Sequence, residues 1–457
     1  MHSSGPQPCF PPRPGARVLD AAAYALPPAC AVLLAAHALR PGNPGLALSC
    51  LVLGLLALTR QAFARLVLAP GLAAGALIWA GSGLELVRMR LALGEPHVRL
   101  AAIMAALAVL NLAGALVLIA APGKRRFDKR PELAAPLAAV FLITLGALYT
   151  LQYFLRPPHG PALLLAERFA PTSGWLEATL IACYAAFAAA RLLRLKTQAA
   201  TRSLIWRLFS LVFFLQLALG LLGLPAMLMT GALHLPVPAL IVAGPLYRGH
   251  GLFMLWLFSA SVVLLGPGWC SHLCYIGAWD DLAAKSKKLP SPLPRWAVSA
   301  RAAILGLTLA APLFLRFLDV SLEAALWTAA AFGLTGLGVM ALASARLGTM
   351  AHCTAFCPIG LLGNLLAKLT PWRLRVSLEC TRCTACISRC RYNALTLERL
   401  ESGKPALSCT LCGDCLSACK HDALHYRFLN LSPARSRTLF VVLAASLHAI
   451  FLAVARI

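Results

Sequence analysis

Residues 100–121 read LAAIMAALAVLNLAGALVLIAA, a run without a charged side chain whose one polar residue is Asn111. The hydrocarbon core of a bilayer is about 30 Å thick, and about 20 apolar residues in a helix cross it. The run therefore predicts a membrane-spanning helix.

Ten further segments have a similar character. The chain of 457 residues is 60% hydrophobic and 12% charged, with a mean hydropathy of +0.77, which is too apolar for a soluble globular protein. We predict an all-α polytopic membrane protein with about eleven transmembrane helices, the second and eighth being short. Their residues are 18–39, 44–59, 66–87, 100–121, 133–155, 175–195, 204–229, 251–266, 297–317, 322–345 and 438–454.

The basic residues indicate how the chain is oriented. The formal net charge is +25, and the Lys and Arg clusters fall in every second loop, at residues 60–65, 124–130, 191–207 and 285–301. Cytoplasmic loops carry such an excess of positive charge. We therefore predict a multi-pass protein of the bacterial inner membrane, with a cytoplasmic N-terminus and a periplasmic C-terminus. Because the charges lie between apolar segments, the predicted partner is membrane lipid and not nucleic acid.

Two cysteine runs follow the tenth segment. CTRCTACISRC (380–390) and CTLCGDCLSAC (409–419) share the spacing C-x2-C-x2-C-x3-C. In bacterial two-cluster ferredoxins the first three cysteines of a run bind one [4Fe-4S] cluster and the fourth binds the other. This predicts cluster one on Cys380, Cys383, Cys386 and Cys419, and cluster two on Cys409, Cys412, Cys415 and Cys390.

Zinc is the alternative ligand for paired cysteines, but two matched runs with eight thiolates favour iron–sulfur. Arg391 and Lys420 replace the usual proline after each fourth cysteine. A positive charge near each cluster favours the reduced form, so we expect raised reduction potentials.

An internal repeat precedes these runs. CSHLCYIGAWDDLAAK (270–285) and CTAFCPIGLLGNLLAK (353–368) share the pattern C-x3-C-x-I-G-x4-L-x-A-K, and each follows two apolar segments. A repeat of this kind creates a pseudo-two-fold site. Cysteines four apart on a helix share a face, so the two pairs are expected to bring four thiols together: Cys270, Cys274, Cys353 and Cys357.

The repeated pairs leave three interpretations open: a third metal or cluster site, a redox-active thiol relay, or buried thiols that only pack. We expect Lys285 and Lys368 to lower the thiol pKa values. His272 and His352 are candidate ligands, proton carriers or ordinary hydrogen-bonding residues. His37 and His448 lie inside apolar segments, where a polar residue is a candidate for function.

The remaining cysteines are scattered. Cys30, Cys50 and Cys183 lie in apolar segments and are predicted to pack as small hydrophobic residues. Cys9 lies in the Pro-rich N-terminal region.

With both motifs in place, residues 204–426 resemble the NapH/NosR group of membrane polyferredoxins. The two C-x3-C motifs at cytoplasmic helix ends, the second followed by Pro358, and the two cysteine runs carry the resemblance. The first copy departs from the family pattern, because Tyr275 stands where the family has proline, so its turn is expected to differ.

The resemblance implies an electron-transfer subunit, or a component of a quinol dehydrogenase, more than a stand-alone enzyme. Such a subunit passes electrons between the quinone pool, or a cytoplasmic donor, and a partner respiratory reductase or its maturation system. The cofactors implied are two [4Fe-4S] clusters, and quinone is a candidate. Two alternatives remain: reduction of metal ions such as copper during metalloenzyme assembly, as in related cytochrome oxidase assembly proteins, and a redox-gated transporter or sensor.

The predicted organisation has five parts. They are a flexible N-terminal tail (1–17), a six-helix membrane region without an assignable role (18–203), a membrane region with two C-x3-C repeats (204–371), a small α+β two-cluster ferredoxin module (372–430) and a C-terminal transmembrane helix (431–457).

Overall fold

The computed structural model describes residues 14–155, 162–228 and 235–454. The chain is mostly helical and forms two compact units, Met1–Cys183 and Tyr184–Ile457. The boundary between the units falls inside a helix that contains Cys183, whereas the predicted boundary at 203/204 falls inside the next helix. Residues 1–13 of the predicted tail, and Cys9 with them, lie outside the described residues.

In the described residues of the first unit, the regular secondary structure is helical. The bounds of the helices are α1 Pro14–Leu39, α2 Pro44–Leu58, α3 Ala62–Ala92, α4 Val98–Ile119, α5 Ala121–Arg126, α6 Ala134–Tyr153, α7 Leu165–Phe169 and α8 Gly174–Leu192, the last of which continues into the second unit.

Ion pairs fix the up-and-down course of the first unit. Arg125 pairs with Asp20 at the start of α1, and Arg60, just after α2, pairs with Asp128, both at 2.6 Å. The beginning of α1 and the end of α2 therefore lie at the same end of the unit, beside the basic segment 124–130. At the other end, the backbone N–H of Gly45 donates to Thr172 Oγ1 over 3.3 Å.

Helix α2 is the predicted span that differs most from expectation. It has 15 residues, which at 1.5 Å per residue is about 22 Å and less than the thickness of a bilayer core. It nevertheless returns the chain to the end where α1 begins. In the described residues, ten helices are long and apolar enough to cross a membrane, and α2 is not among them. The chain is a multi-pass membrane protein, and the count of eleven spans stays a prediction.

The second unit contains the remaining elements. They are α9 Leu195–Leu221, α10 Leu240–Arg248, α11 Phe253–Leu265, α12 Trp269–His272, α13 Gly277–Ala284, α14 Trp296–Phe317, α15 Leu322–Val339, α16 Ala345–Leu347, α17 Pro358–Leu366, β1 Trp372–Val376, α18 Leu397–Glu401, β2 Leu424–Phe428 and α19 Pro433–Val454.

The sequence repeat is built twice in this unit. Helices α9 and α11 lead to the first C-x3-C motif and α13, and helices α14 and α15 lead to the second motif and α17. Two π-helical turns, Met340–Ser344 and His352–Phe356, precede α17 in the second copy. Single π-helical turns are often found at functional sites, and the second of them contains Cys353.

Candidate iron–sulfur centres

A two-stranded antiparallel sheet forms the framework of the cysteine-rich module. Strands β1 and β2 pair from Trp372 opposite Phe428 to Val376 opposite Leu424. Alternate side chains of a strand point to opposite faces, and the face that carries Leu374 and Tyr426 is buried. The small α+β module that the sequence predicts is present, with the cysteine runs between its two strands.

The two cysteine runs adopt the same backbone conformation. The second and fourth residues after the first cysteine have positive φ angles in both, at Arg382 (55°) and Thr384 (63°) and at Leu411 (52°) and Gly413 (81°). Positive φ is uncommon outside glycine and marks a tight, constrained turn. Each turn therefore wraps three cysteines of its run around one point.

The second run borders a cavity of about 340 Å³, called here the inner cavity, whose lining residues are mostly buried. Three of its cysteines come from this run and the fourth comes from the end of the first run. They are Cys409, Cys412, Cys415 and Cys390. The structure thus brings together the four residues that the sequence assigns to cluster two.

The first run borders a second cavity of about 300 Å³, called here the outer cavity. Its cysteines are Cys380, Cys383, Cys386 and, from the other run, Cys419. These are the four residues that the sequence assigns to cluster one. Cys383 is exposed, so this cavity reaches the surface of the module.

The spacing of the thiols argues against a single metal ion at either cavity. A tetrahedral zinc site has Zn–S distances of about 2.3 Å, which places its sulfurs about 3.8 Å apart. Within the described residues, no three cysteine sulfurs lie within 4.8 Å of one another. A cubane, whose four irons each bind one thiolate, holds its ligand sulfurs farther apart than a single ion does. The donor sets therefore fit [4Fe-4S] clusters better than zinc.

Burial gives the two cavities different electrostatics. Burial raises the pKa of Cys409 to about 12, so thiolates in the inner cavity need the charge of a metal centre to form. At the outer cavity, hydrogen bonding from the backbone N–H of Ala385 lowers the pKa of Cys383. In the inner cavity, the Ala394 N–H donates to Cys390 Sγ over 3.3 Å. Hydrogen bonds to cluster sulfurs are one means by which proteins set reduction potentials.

The repeated C-x3-C pairs do not lie on continuous helices as predicted. Cys270 is in the short helix α12 and Cys274 follows its end, while Cys353 is in a π-helical turn and Cys357 is the N-cap residue of α17. The chain turns between the two cysteines of each pair. The pairs still converge, because all four thiols lie within electrostatic range of one another.

The expected effect of Lys285 and Lys368 on these thiols is wrong. The ammonium group of Lys285 lies 2.6 Å from Asp281 and from Ser203 Oγ, and Lys368 is exposed. Burial raises the pKa of Cys274 to about 12 instead. The cation that acts on Cys357 is Arg301 of α14.

A mixed donor group lies beside the second pair. One donor atom each from Asp280, His352 and Cys353 falls within 4.8 Å of the other two. Asp280 Oδ2 also accepts a hydrogen bond from the Cys353 N–H at 2.9 Å. Burial raises the pKa of Asp280 to about 6 and lowers the pKa of His352 to about 4. His352 is therefore neutral at physiological pH.

The other three candidate histidines make ordinary hydrogen bonds. His272 Nδ1 lies 3.0 Å from Ser271 Oγ, and His448 bridges Tyr184 OH and the carbonyl of His272. In the first unit, His37 Nε2 lies 3.2 Å from Ser82 Oγ. Of the scattered cysteines, Cys30 is completely buried and Cys50 and Cys183 are half-buried.

Two arginines join the module to the membrane helices. Arg202 of α9 binds Asp414, which lies between two inner-cavity cysteines, and also Asp281 of α13. Arg391, which replaces the usual proline, donates to four carbonyls, three at or just after the end of the first repeat and one just before the second: Ala284, Lys287, Lys288 and Gly348. The residue that departs from the ferredoxin pattern thus fixes the module in place.

In the sequence, Arg202 and Arg301 belong to the basic clusters 191–207 and 285–301, which predict only the topology. Both lie inside apolar helices, and a charge within a spanning segment is costly unless it has a function or a partner. That rule was available from the sequence. Their partners were not, since Asp281 and Asp414 lie far along the chain from Arg202.

Comparison with known families gives one match. A family model described as a 4Fe-4S binding domain matches residues 250–292 and 329–377. The matched segments contain both C-x3-C pairs and end before Cys380. No curated protein and no solved structure was found to match the chain. The chain therefore carries a 4Fe-4S binding domain within a multi-pass membrane protein.

Proposed function

We propose that this protein is a membrane-bound iron–sulfur electron-transfer protein that passes electrons between the quinone pool, or a cytoplasmic donor, and a partner respiratory reductase or its maturation system. The pair of four-cysteine cavities carries the proposal. Each cavity takes three sulfurs from one run and the fourth from the other. This cross-ligation is the arrangement of bacterial two-cluster ferredoxins.

The proposed ligands of cluster one are Cys380, Cys383, Cys386 and Cys419, and those of cluster two are Cys409, Cys412, Cys415 and Cys390. Bound there, [4Fe-4S] clusters supply one-electron redox chemistry. The chain itself orients the thiolates through the paired positive-φ turns and surrounds the inner cavity with mostly buried residues. Each cavity is lined mainly by four thiols and apolar side chains, so transfer of electrons is the chemistry that the residues support.

The two cavities suit different tasks. The outer cavity reaches the surface at the exposed Cys383, with Lys420 nearby, which suits exchange with a soluble partner. The inner cavity is tied to α9 through Arg202 and Asp414, which suits exchange with the membrane helices. We place the module on the cytoplasmic face of a bacterial inner membrane, a position supported by the basic loops beside it.

The ligand sets are tested with full-length protein purified anaerobically in detergent. Cys386→Ala removes one outer-cavity ligand, and Cys415→Ala removes one inner-cavity ligand. Each variant should lose about four irons and one reduced-state EPR signal, whereas Cys183→Ala should lose neither. Zinc in place of iron, or full iron in both variants, would contradict the proposal.

The electron source is tested by adding a quinol or a reduced low-potential carrier protein to the oxidised protein in proteoliposomes. Bleaching of the visible iron–sulfur absorbance by either donor supports the proposal and identifies the donor. If only dithionite bleaches the protein, electron transfer from these two classes of donor is ruled out.

A further inference from the structure

The four cysteines of the C-x3-C pairs form a buried group that the two cavities leave unused. Cys270, Cys274 and Cys357 are buried and Cys353 is half-buried. None is in a disulfide, and each thiol is within electrostatic range of the others. Four grouped thiols without a covalent partner are a donor set for a metal centre.

The two repeats approach these thiols in the same way. The sixth residue after the second cysteine of each repeat faces the first cysteine of the other repeat. Asp280 accepts from the backbone N–H of Cys353, and a Cβ built on Gly363 would lie 3.9 Å from Cys270 Sγ. A pseudo-two-fold axis therefore passes between the two pairs, and the absent side chain of Gly363 leaves room beside one sulfur.

The first turns of α13 and α17 follow the same pseudo-two-fold symmetry. The glycine of each Ile-Gly dipeptide, Gly277 or Gly360, would place a Cβ 3.1 Å from the carbonyl oxygen of the first cysteine in its own pair. The N–H of the same glycine donates to the sulfur of the second cysteine, over 3.4 Å in the case of Cys357. Each pair therefore presents one sulfur that is already oriented by a backbone N–H.

Besides Asp280 and Gly363, a second pair of equivalent positions breaks the symmetry, by adding a positive charge. In the first repeat, Trp206 Nε1 donates to the Cys274 carbonyl at 2.7 Å. In the second repeat, Arg301 Nε takes the same place and donates to the Cys357 carbonyl at 3.4 Å. The neutral indole of one copy corresponds to a guanidinium in the other.

This guanidinium is buried without a counter-ion. Arg301 is 5% exposed, and among the described residues no carboxylate forms a salt bridge with it. The groups that act on it electrostatically are the thiols of Cys357, Cys270 and Cys353. An unpaired buried charge is very costly. Arg301 thus places a positive charge directly against the second pair, where the negative charge of thiolates bound to a metal centre would compensate it.

We infer that Cys270, Cys274, Cys353 and Cys357 hold a third iron–sulfur cluster, with Arg301 as its charge partner. The inference rests on the proposed electron-transfer function and extends it. A cubane fits these four cysteines better than a single metal ion does. The sulfurs of a mononuclear site lie about 3.8 Å apart, whereas within the described residues no three of these sulfurs lie within 4.8 Å of one another.

The side chains packed around Cys353 connect the third centre to the inner cavity. Cys353 contacts a small buried group that includes Met350, Tyr392 and Ala394, and the same group contacts Cys409 and Cys412 of the inner cavity. One layer of side chains therefore separates the C-x3-C centre from the inner cavity. Clusters held in these three places would form an electron path that joins the C-x3-C centre, the inner cavity and, at the surface, the outer cavity.

The test counts iron and acid-labile sulfide in full-length protein prepared anaerobically. The unaltered protein should contain about twelve irons, and the variant with alanine at all four pair cysteines about eight, with the EPR signals of the ferredoxin module unchanged. The matched control replaces Cys30, Cys50 and Cys183 by alanine and should keep about twelve. About eight irons in the unaltered protein would overturn this inference and leave the two-cluster proposal intact.

Two variants of Arg301 test the inference if the variant that lacks all four cysteines does not fold. Arg301→Gln removes the positive charge and should lower the reduction potential of one EPR-active centre or deplete its four irons, while Arg301→Lys should retain that centre. A potential and iron content that are equal in all three proteins would overturn the role of Arg301, and about eight irons in all three would overturn the third cluster as well.

Discussion

Arg202 shows how a single buried residue joins the membrane helices to the redox module. Its side chain is 1% exposed, and its guanidinium lies 2.7 Å from Asp414 and 3.4 Å from Asp281. Burial alone would raise the pKa of Asp281, but Arg202 and Lys285 hold it below its usual value. The positive charge of Arg202 thus stabilises the ionised form of Asp281, and the carboxylate in turn compensates the buried guanidinium.

Arg202→Met should destabilise the protein strongly. Removing one partner of a buried ion pair costs about 3–5 kcal/mol, because the remaining charge is left uncompensated. Arg202→Lys keeps the charge but loses the two-pronged contact with Asp414, so its loss should be smaller. Thermal unfolding in detergent measures both. Arg194→Met, at an exposed position of the same segment, is the control and should change little; an equal effect of both methionine variants would refute the assignment.

At the scale of elements, a repeated loop conformation underlies both cavities. The first and second cysteine runs place positive φ at corresponding positions, but only the second uses glycine at the fourth residue. A Cβ at Gly413 would collide with the side-chain amide of Gln198 and with the hydroxyl of Tyr426. The same position in the first run, Thr384, carries a side chain. The contact with α9 therefore decides where glycine is needed.

Gly413→Ala should disrupt the inner cavity. Gly403 is the matched control, because its φ is +69° and a Cβ there would meet its nearest atom, the Val376 carbonyl oxygen, at 3.6 Å. Both substitutions impose a left-handed alanine, which costs about 1–2 kcal/mol. Only Gly413→Ala adds the collision. We expect it to lose about four irons while Gly403→Ala keeps them; equal iron contents would show that the collision is relieved elsewhere.

Arg391 is the docking element of the module. Arg391→Ala removes four hydrogen bonds to carbonyls at the end of the first repeat and just before the second, so hydrogen exchange should accelerate at residues 284–288 and 348–350. Lys420→Ala changes the corresponding residue of the second run, which is exposed, and should leave exchange there unchanged. Unaltered exchange in Arg391→Ala would show that other contacts suffice to dock the module.

At the scale of the whole molecule, the alternation of basic loops makes a prediction about topology. In the first unit, Asp20 near the start of α1 and Arg60 just after the end of α2 lie on the same side. Helix α2 therefore returns the chain to that side, although it is too short for an ordinary span. If every predicted span after α2 also crosses the membrane, the two chain termini lie on opposite sides of the membrane. The lengths of the helices alone do not decide this point.

A C-terminal fusion tests that topology. Alkaline phosphatase fused after residue 457 should be active, because it folds only outside the cytoplasm, and green fluorescent protein at the same site should be dark. Fusions in the loop at residues 286–295 should give the opposite pattern. An inactive phosphatase with a fluorescent C-terminal fusion would mean that an even number of segments crosses the membrane.

The sequence by itself determined the membrane class, the two cysteine runs with their expected cross-ligation and the repeat around Cys270 and Cys353. These depend on composition and spacing, which are local properties of the chain. Only the tertiary structure decided that the C-x3-C pairs turn between their cysteines, that Arg301 replaces Trp206 beside the second pair, and that Arg391 docks the module. Those features depend on contacts between residues far apart in sequence, and no local pattern specifies which distant carbonyl or thiol a buried arginine will meet.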